Sequence, residues 1–173
     1  SATTAASRRG SVVKRAMALG LGLILVATSC AASAEDRVLP DIELELLAGG
    51  TYDLTQTGQP RALNLWATWC APCRAELPAF DDVASRVTGV DIVGINVGDT
   101  GNDAAELVEE LDLRFTQVLD PLASVQQALR ITGMPSTVFV DEDGVIVQVH
   151  AGELETEELE ELLIELFDAR LSS

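Results

Sequence analysis

The sequence has few of the residues that build disulfide-stapled scaffolds or metal sites. It contains three cysteines and one histidine in 173 residues. Cys30 belongs to an N-terminal segment discussed below, so the rest of the chain keeps only Cys70, Cys73 and His150. A disulfide that closes so short a loop constrains little of the unfolded chain, and structural zinc normally takes four Cys or His ligands. We therefore expect no bound metal, and we interpret His150 as a structural or surface residue.

Positive charge is scarce outside the N-terminus. The chain has 11 Lys and Arg against 28 Asp and Glu, a net charge of -17. Four of these cations lie in residues 1–30, so the remainder carries 7 arginines against 28 acids, a net charge of -21. Phosphate backbones and anionic membrane surfaces bind clustered cations, and this domain offers none, so we expect no nucleic-acid partner. The 47% apolar content excludes a disordered chain.

The N-terminus has the order of a secretory signal. Basic residues precede an uncharged stretch at residues 16–34 that ends in small residues. We divide the chain into an export signal or anchor at residues 1–34 and one folded domain at residues 35–173. Cleavage before Cys30 would leave a lipid on that cysteine, cleavage after Ala34 would release a soluble protein, and no cleavage would leave a membrane helix. All three place the domain outside the cytoplasmic membrane of a bacterium, and we favour a tethered form.

Hydrophobic periodicity predicts an α/β fold. Alternating residues from Ile42 before Gly49-Gly50 predict an N-terminal β-hairpin. Short apolar runs predict strands at residues 61–67, 91–97, 115–119, 137–140 and 145–149. Helical spacing predicts four helices. The first runs from Cys73 and stops at Gly89, and the second follows a cap at Asn102 or Asp103. The third contains Leu122, Val125 and Leu129, and the fourth starts at a cap at Thr156. This order predicts a central mixed sheet with helices on both faces.

The paired cysteines lie where a predicted buried strand gives way to a helix. This position puts Cys70 at the helix N-terminus, where unpaired N–H groups and the helix dipole stabilise a thiolate. Cys70 can then attack a disulfide, and Cys73, one turn further on, can attack the resulting mixed disulfide. A zinc half-site and a static disulfide are the alternatives, and thiolate stabilisation at a helix start favours redox chemistry over both.

Two segments resemble a known family. Residues 66–73 (WATWCAPC), followed by Arg74, Glu76 and Pro78, resemble the active-site segment of thioredoxin-fold proteins, and more narrowly that of extracytoplasmic TlpA/ResA-like thiol-disulfide oxidoreductases. Residues 133–137 (GMPST) resemble the cis-proline segment of that family. The resemblance runs from about Pro40 to the C-terminus, and it implies a thioredoxin-like fold.

The resemblance also assigns roles to individual residues. It implies a cis bond at Pro135, facing Cys70 and Cys73, which leaves the Met134 backbone free to pair with an extended substrate. It implies that Trp69, Pro72 and Met134 contact the substrate, whereas Trp66 belongs to the core.

The resemblance also predicts a proton carrier. Thioredoxin has a buried Asp where this chain has Asn64, so Glu76 is the candidate substitute that carries protons and tunes the thiol pKa. The alternative is a solvated helix glutamate.

The function implied is a protein-disulfide oxidoreductase, acting as a monomer without a cofactor. The family reduces client proteins such as apocytochromes c, with electrons from a membrane thiol-disulfide donor, so we expect reduction. The direction depends on the reduction potential, which leaves a disulfide oxidase or isomerase open. A second alternative is a Cu(I)-binding, metallochaperone-like module that uses both thiolates with His150 or Met134.

Overall fold

The structure is a computed structural model that describes residues 38–172. The segment that contains Cys30 therefore lies outside the described residues, as does the boundary near residue 34. The described chain forms, in order, β1 (Glu43–Leu46), β2 (Thr51–Asp53), β3 (Arg61–Trp66), α1 (Ala71–Arg86), β4 (Val87–Thr88), β5 (Asp91–Val97), α2 (Gly101–Glu110), β6 (Thr116–Asp120), α3 (Ser124–Ala128), β7 (Ser136–Val140), β8 (Ile146–Ala151), α4 (Thr156–Phe167) and β9 (Arg170–Leu171).

Seven strands form a central mixed sheet in the order β2-β1-β6-β5-β3-β7-β8. β3 pairs in parallel with β5, and β5 pairs in parallel with β6, whereas β7 runs antiparallel to β3. The carboxyl ends of β3, β5 and β6 and the amino end of β7 therefore lie at one edge of the sheet, called the dithiol edge below. β1 and β2 form the predicted N-terminal hairpin.

Both faces of the sheet are covered by helices, as the hydrophobic pattern predicts. All six residues of β3 are buried, because alternate side chains enter two different cores. Ala62 and Trp66 pack with residues of α1, α2 and α4, whereas Leu63 and Leu65 pack on the other face with Val125 of α3. Within residues 38–172, no helix is both long enough and apolar enough to cross a bilayer.

The end of α1 differs from the prediction. The helix ends at Arg86, three residues before Gly89, and Val87 takes an extended conformation with φ -78° and ψ 144°. Val87 and Thr88 pair instead with Arg170 and Leu171 in a separate two-stranded sheet. The sequence pattern did not reveal these two short strands, because their pairing joins residues more than eighty positions apart.

Two helix starts also differ from the prediction. Thr100, rather than Asn102 or Asp103, caps α2, since its hydroxyl accepts a hydrogen bond from the Asp103 N–H at 3.2 Å and donates one to the Asp103 carboxylate at 2.7 Å. Leu122 lies outside α3 and is 78% exposed. The helix starts later because the Asp120 carboxylate accepts hydrogen bonds from the N–H groups of its first two residues, at 2.7 and 2.9 Å.

The start of α4 likewise shifts by one residue. Glu155 is its N-cap residue, and Thr156, predicted as the cap, is the first residue of the helix. The acidic first turn supplied by Glu157 and Glu158 agrees with the prediction and interacts favourably with the helix dipole.

Candidate active site

Cys70 lies at the start of α1, where the sequence predicts it. It is the N-cap residue, with φ -89° and ψ 103°, and its Sγ accepts a hydrogen bond from the Cys73 N–H at 3.3 Å. The two sulfurs form a disulfide, with the Cα atoms 5.3 Å apart. Cys70 is 5% exposed and Cys73 is fully buried. Cys70 is therefore the less buried residue of the two, and its sulfur receives the helix N–H group that would stabilise a thiolate.

The three predicted substrate-contacting residues differ in exposure. Trp69 is 69% exposed, Pro72 is exposed, and Met134 is half-buried. Ser136, the first residue of β7, pairs with Leu65 near the end of β3. Met134 and Pro135, which precede Ser136, therefore lie at the dithiol edge next to the segment that leads from β3 to Cys70. The Met134–Pro135 bond is cis, as the resemblance implies. No backbone group of residues 38–172 pairs with the Met134 backbone.

Glu76 is buried, which excludes the solvated alternative. Its side chain lies on the buried face of α1, one turn beyond Cys73, and the residue is 1% exposed. One carboxylate oxygen accepts a hydrogen bond from Asn64 Nδ2 at 2.7 Å, and the other accepts one from the Leu154 N–H at 2.9 Å. Burial raises the pKa of Glu76 from 4.5 to about 7, although both hydrogen bonds act to lower it.

Asn64 connects Glu76 to the cis-proline segment. Its amide nitrogen also donates to Thr137 Oγ1, at 3.3 Å, two residues after Pro135. The polar network thus joins β3, α1, β7 and the loop before α4. At the position where thioredoxin has a buried Asp, this chain has Asn64. The Asn64 amide donates to the carboxylate of Glu76, so a buried carboxylate still lies next to this position.

Asp99 is a site residue that the sequence analysis missed. Trp66 pairs with Asn96 at the ends of β3 and β5, so the loops that follow leave the sheet side by side. Asp99 Oδ2 accepts hydrogen bonds from the Thr68 N–H and from Asn96 Nδ2, both at 2.7 Å, and Oδ1 accepts one from Thr68 Oγ1 at 3.0 Å. An acidic residue two positions after a buried parallel strand was the available signal, because such residues collect at one sheet edge.

Comparison with known proteins agrees with this geometry. Residues 33–163 match the Redoxin family. This chain belongs to the Redoxin family. It is 30% identical over 136 residues to the thiol-disulfide oxidoreductase ResA of Geobacillus kaustophilus, a match that covers 77% of this chain and 78% of the relative. It is 31% identical over 140 residues to the thiol:disulfide interchange protein DsbE of Vibrio cholerae, with 79% and 75% covered.

The fold of this redoxin is thioredoxin-like. A similar solved structure is that of the exposed lipoprotein thioredoxin of Streptococcus pneumoniae, with a TM-score of 0.65, 28% identity and coverage of 73% of this chain and 100% of that one. These similarities confirm the resemblance inferred from residues 66–73 and 133–137. The redoxin is a thiol-disulfide oxidoreductase of the ResA and DsbE type, with Cys70 and Cys73 as its cysteine pair.

Trp66 is a core residue of this redoxin, as predicted. It is fully buried, and its indole Nε1 donates to Gln117 Oε1 at 2.9 Å. Both groups lie over Gly94, where a Cβ atom would stand 2.1 Å from the Gln117 oxygen and 2.9 Å from the indole nitrogen. Gly94 is therefore required by the close packing of these two side chains against β5.

His150 lies in β8, half-buried and opposite Thr137 in the β7 ladder. Within residues 38–172, no group of three His, Cys, Asp or Glu side chains is placed to hold a metal ion.

Proposed function

We propose that this redoxin reduces disulfides of exported client proteins through Cys70 and Cys73. The observation that carries the proposal is the position of the Cys70 sulfur at the N-terminus of a 16-residue helix, where it accepts the Cys73 N–H. Helix N-termini favour negative charge and lower the pKa of a thiol placed there. Cys70 is therefore the attacking residue, and the fully buried Cys73 is the resolving residue.

The exchange proceeds in two substitutions at sulfur. The Cys70 thiolate attacks one sulfur of the client disulfide, and the other client sulfur leaves as a thiolate that takes up a proton. Cys73 then loses its proton and attacks the Cys70 sulfur of the mixed disulfide. This step releases the second client thiolate and closes the Cys70–Cys73 disulfide. Two electrons pass from this redoxin to the client, and no cofactor takes part.

Glu76 is the proposed acceptor of the Cys73 proton. It follows Cys73 by three residues, so the two side chains lie on the same side of α1. With a pKa of about 7, Glu76 is present in both protonation states near neutral pH. A group in that range can take a proton from one thiol and later return it, which a carboxyl with an ordinary pKa does poorly.

The client binds as an extended segment beside the cis-proline loop. The Met134 N–H and C=O have no backbone partner within the described chain, so they are available for strand-like pairing. Trp69 and Pro72 are exposed next to the two cysteines in the chain and provide apolar contact. Pairing at Met134 positions the client through its backbone, and this mode accepts clients of different sequence.

The domain acts outside the cytoplasmic membrane, tethered by its N-terminus. The support is the basic and then apolar order of residues 1–34, together with the similarity to an exposed lipoprotein thioredoxin. Apocytochromes c are the proposed clients, in view of the resemblance to TlpA/ResA-like proteins, and a membrane thiol-disulfide protein is the proposed electron donor.

The test is covalent trapping of the client by the full-length chain in bacterial membranes. Cys73→Ser should accumulate mixed disulfides through Cys70, because the resolving thiol is missing, and reducing agent should release them. Cys70→Ser is the matched control and should trap nothing. Trapping by Cys70→Ser instead would reverse the two roles. The captured client should lose a disulfide when it reacts with the reduced wild-type protein. If it instead gains a disulfide from the oxidised wild-type protein, the alternative function of a disulfide oxidase is favoured.

A further inference from the structure

The turn that leads from β3 to Cys70 is buried at both ends, Ala67 and Cys70, and exposed in its middle at Trp69. The Cys70 N–H donates to the Ala67 carbonyl at 3.1 Å. Thr68, between these two residues, gives both its N–H and its hydroxyl to Asp99. Trp69, the next residue, is 69% exposed and therefore adds little packing. Asp99 thus provides side-chain hydrogen bonds that link the middle of this turn to the loop after β5.

The disulfide is a further restraint, but only in the oxidised protein. It ties Cys70 covalently to Cys73 in α1. After reduction that bond is gone, and two restraints on Cys70 remain: its carbonyl accepts the Arg74 N–H at 3.1 Å, and the turn before it sets where its side chain starts. The hydrogen bond from the Cys73 N–H to the Cys70 sulfur depends on this position.

We propose that Asp99 is a positioning residue for thiol-disulfide exchange, which keeps the Cys70 sulfur at the N-terminus of α1 once the disulfide is reduced. Asp99 acts through Thr68 and does not need to contact the client. The inference rests on the proposed role of Cys70 as the attacking thiolate.

The charge of Asp99 and the hydrogen bonds of Asp99 change the pKa of the Cys70 thiol in opposite directions. A nearby carboxylate disfavours a thiolate, so removal of charge alone would lower the thiol pKa. Loss of the hydrogen bonds would free the turn, weaken the contact with the helix N-terminus, and raise the thiol pKa. The charged side chains in the first two turns of α1 and α2 are Arg74, Glu76, Asp103 and Glu106, and replacement of Asp99 changes none of them. The sign of the change therefore separates the two effects.

The experiment measures the pH dependence of Cys70 alkylation in the reduced full-length chain. For Asp99→Ala we expect the midpoint to rise by about one pH unit, which means about tenfold less thiolate below the midpoint. Thr68→Val removes only the hydroxyl, so its midpoint should rise by less. The double variant should show no further rise beyond Asp99→Ala, because the hydroxyl acts through the same carboxylate.

Asp81→Ala is the matched control. The Asp81 carboxylate also accepts backbone N–H groups, those of Arg114 at 2.6 Å and Phe115 at 3.2 Å, but from the middle of α1. Its loss should lower stability and leave the Cys70 midpoint unchanged.

An unchanged or lower midpoint in Asp99→Ala would overturn the proposal. If that variant does not fold, Thr68→Val decides alone, since a midpoint equal to wild type would refute it. A wild-type midpoint as high as that of free cysteine would instead refute the role of Cys70, and Asp99 with it.

Discussion

The buried carboxyl of Glu76 makes a prediction about stability that can be calculated from the structure. Its pKa rises from 4.5 to about 7 on folding, because burial disfavours the charged form. At 1.36 kcal/mol per pH unit, this rise corresponds to about 3 kcal/mol. The native state holds the proton more tightly than the unfolded state does. The favourable contribution is therefore complete below about pH 4.5 and is lost as the pH rises to about 7.

Glu76→Gln should remove this pH dependence. Glutamine is neutral at every pH and can still accept the Asn64 hydrogen bond, but its amide nitrogen cannot accept the Leu154 N–H. The part of this hydrogen bond that varies with pH is already contained in the raised pKa, and the remaining cost of losing it shifts the comparison with wild type by a constant. The free energy of unfolding of the variant, minus that of wild type, should rise by about 3 kcal/mol between pH 4.5 and pH 8.

Urea unfolding of the oxidised full-length proteins at several pH values measures this difference. Other titrating groups are common to both proteins and cancel in the subtraction. The disulfide remains closed throughout, so exchange chemistry does not contribute. A difference that stays flat from pH 4.5 to pH 8 would show that Glu76 titrates at an ordinary pKa, and would also remove the basis for its role as a proton carrier.

Two further predictions concern the core and the dithiol edge. Gly94→Ala places a Cβ atom 2.1 Å from the Gln117 side-chain oxygen, and displacement of that oxygen leaves the buried Trp66 N–H unpaired. The free energy of unfolding, measured with heat or urea, should therefore fall by about 2 kcal/mol. A variant as stable as wild type would refute the packing argument. Trp69→Ala removes a side chain that is 69% exposed, so the free energy of unfolding should change by less than about 0.5 kcal/mol, while the KM for a protein disulfide should rise. Ile164→Ala, on the exposed side of α4, is the control. An equal rise in KM for both variants would count against a substrate contact at Trp69.

Local patterns in the sequence determined the elements of this redoxin and the position of its dithiol. Buried strands follow from short apolar runs such as residues 91–97, and the start of α1 near Cys70 follows from the helical spacing that begins at Cys73. These signals need only neighbouring residues, because side-chain alternation and helical spacing are properties of a single segment. The cap of α2 shows where such reasoning fails, since several polar residues compete at a helix start and only the backbone conformation selects Thr100.

The chemical environment of the dithiol was decided by tertiary structure. Asp99 meets Thr68 across 31 positions of sequence, Asn64 meets Thr137 across 73, and Glu76 meets Leu154 across 78. The residue type alone does not show whether a carboxylate is solvated or buried. The packing around the carboxylate sets its hydrogen-bond partners and its pKa. The sequence therefore identified Glu76 as a candidate, and the fold decided that it is buried and carries a raised pKa.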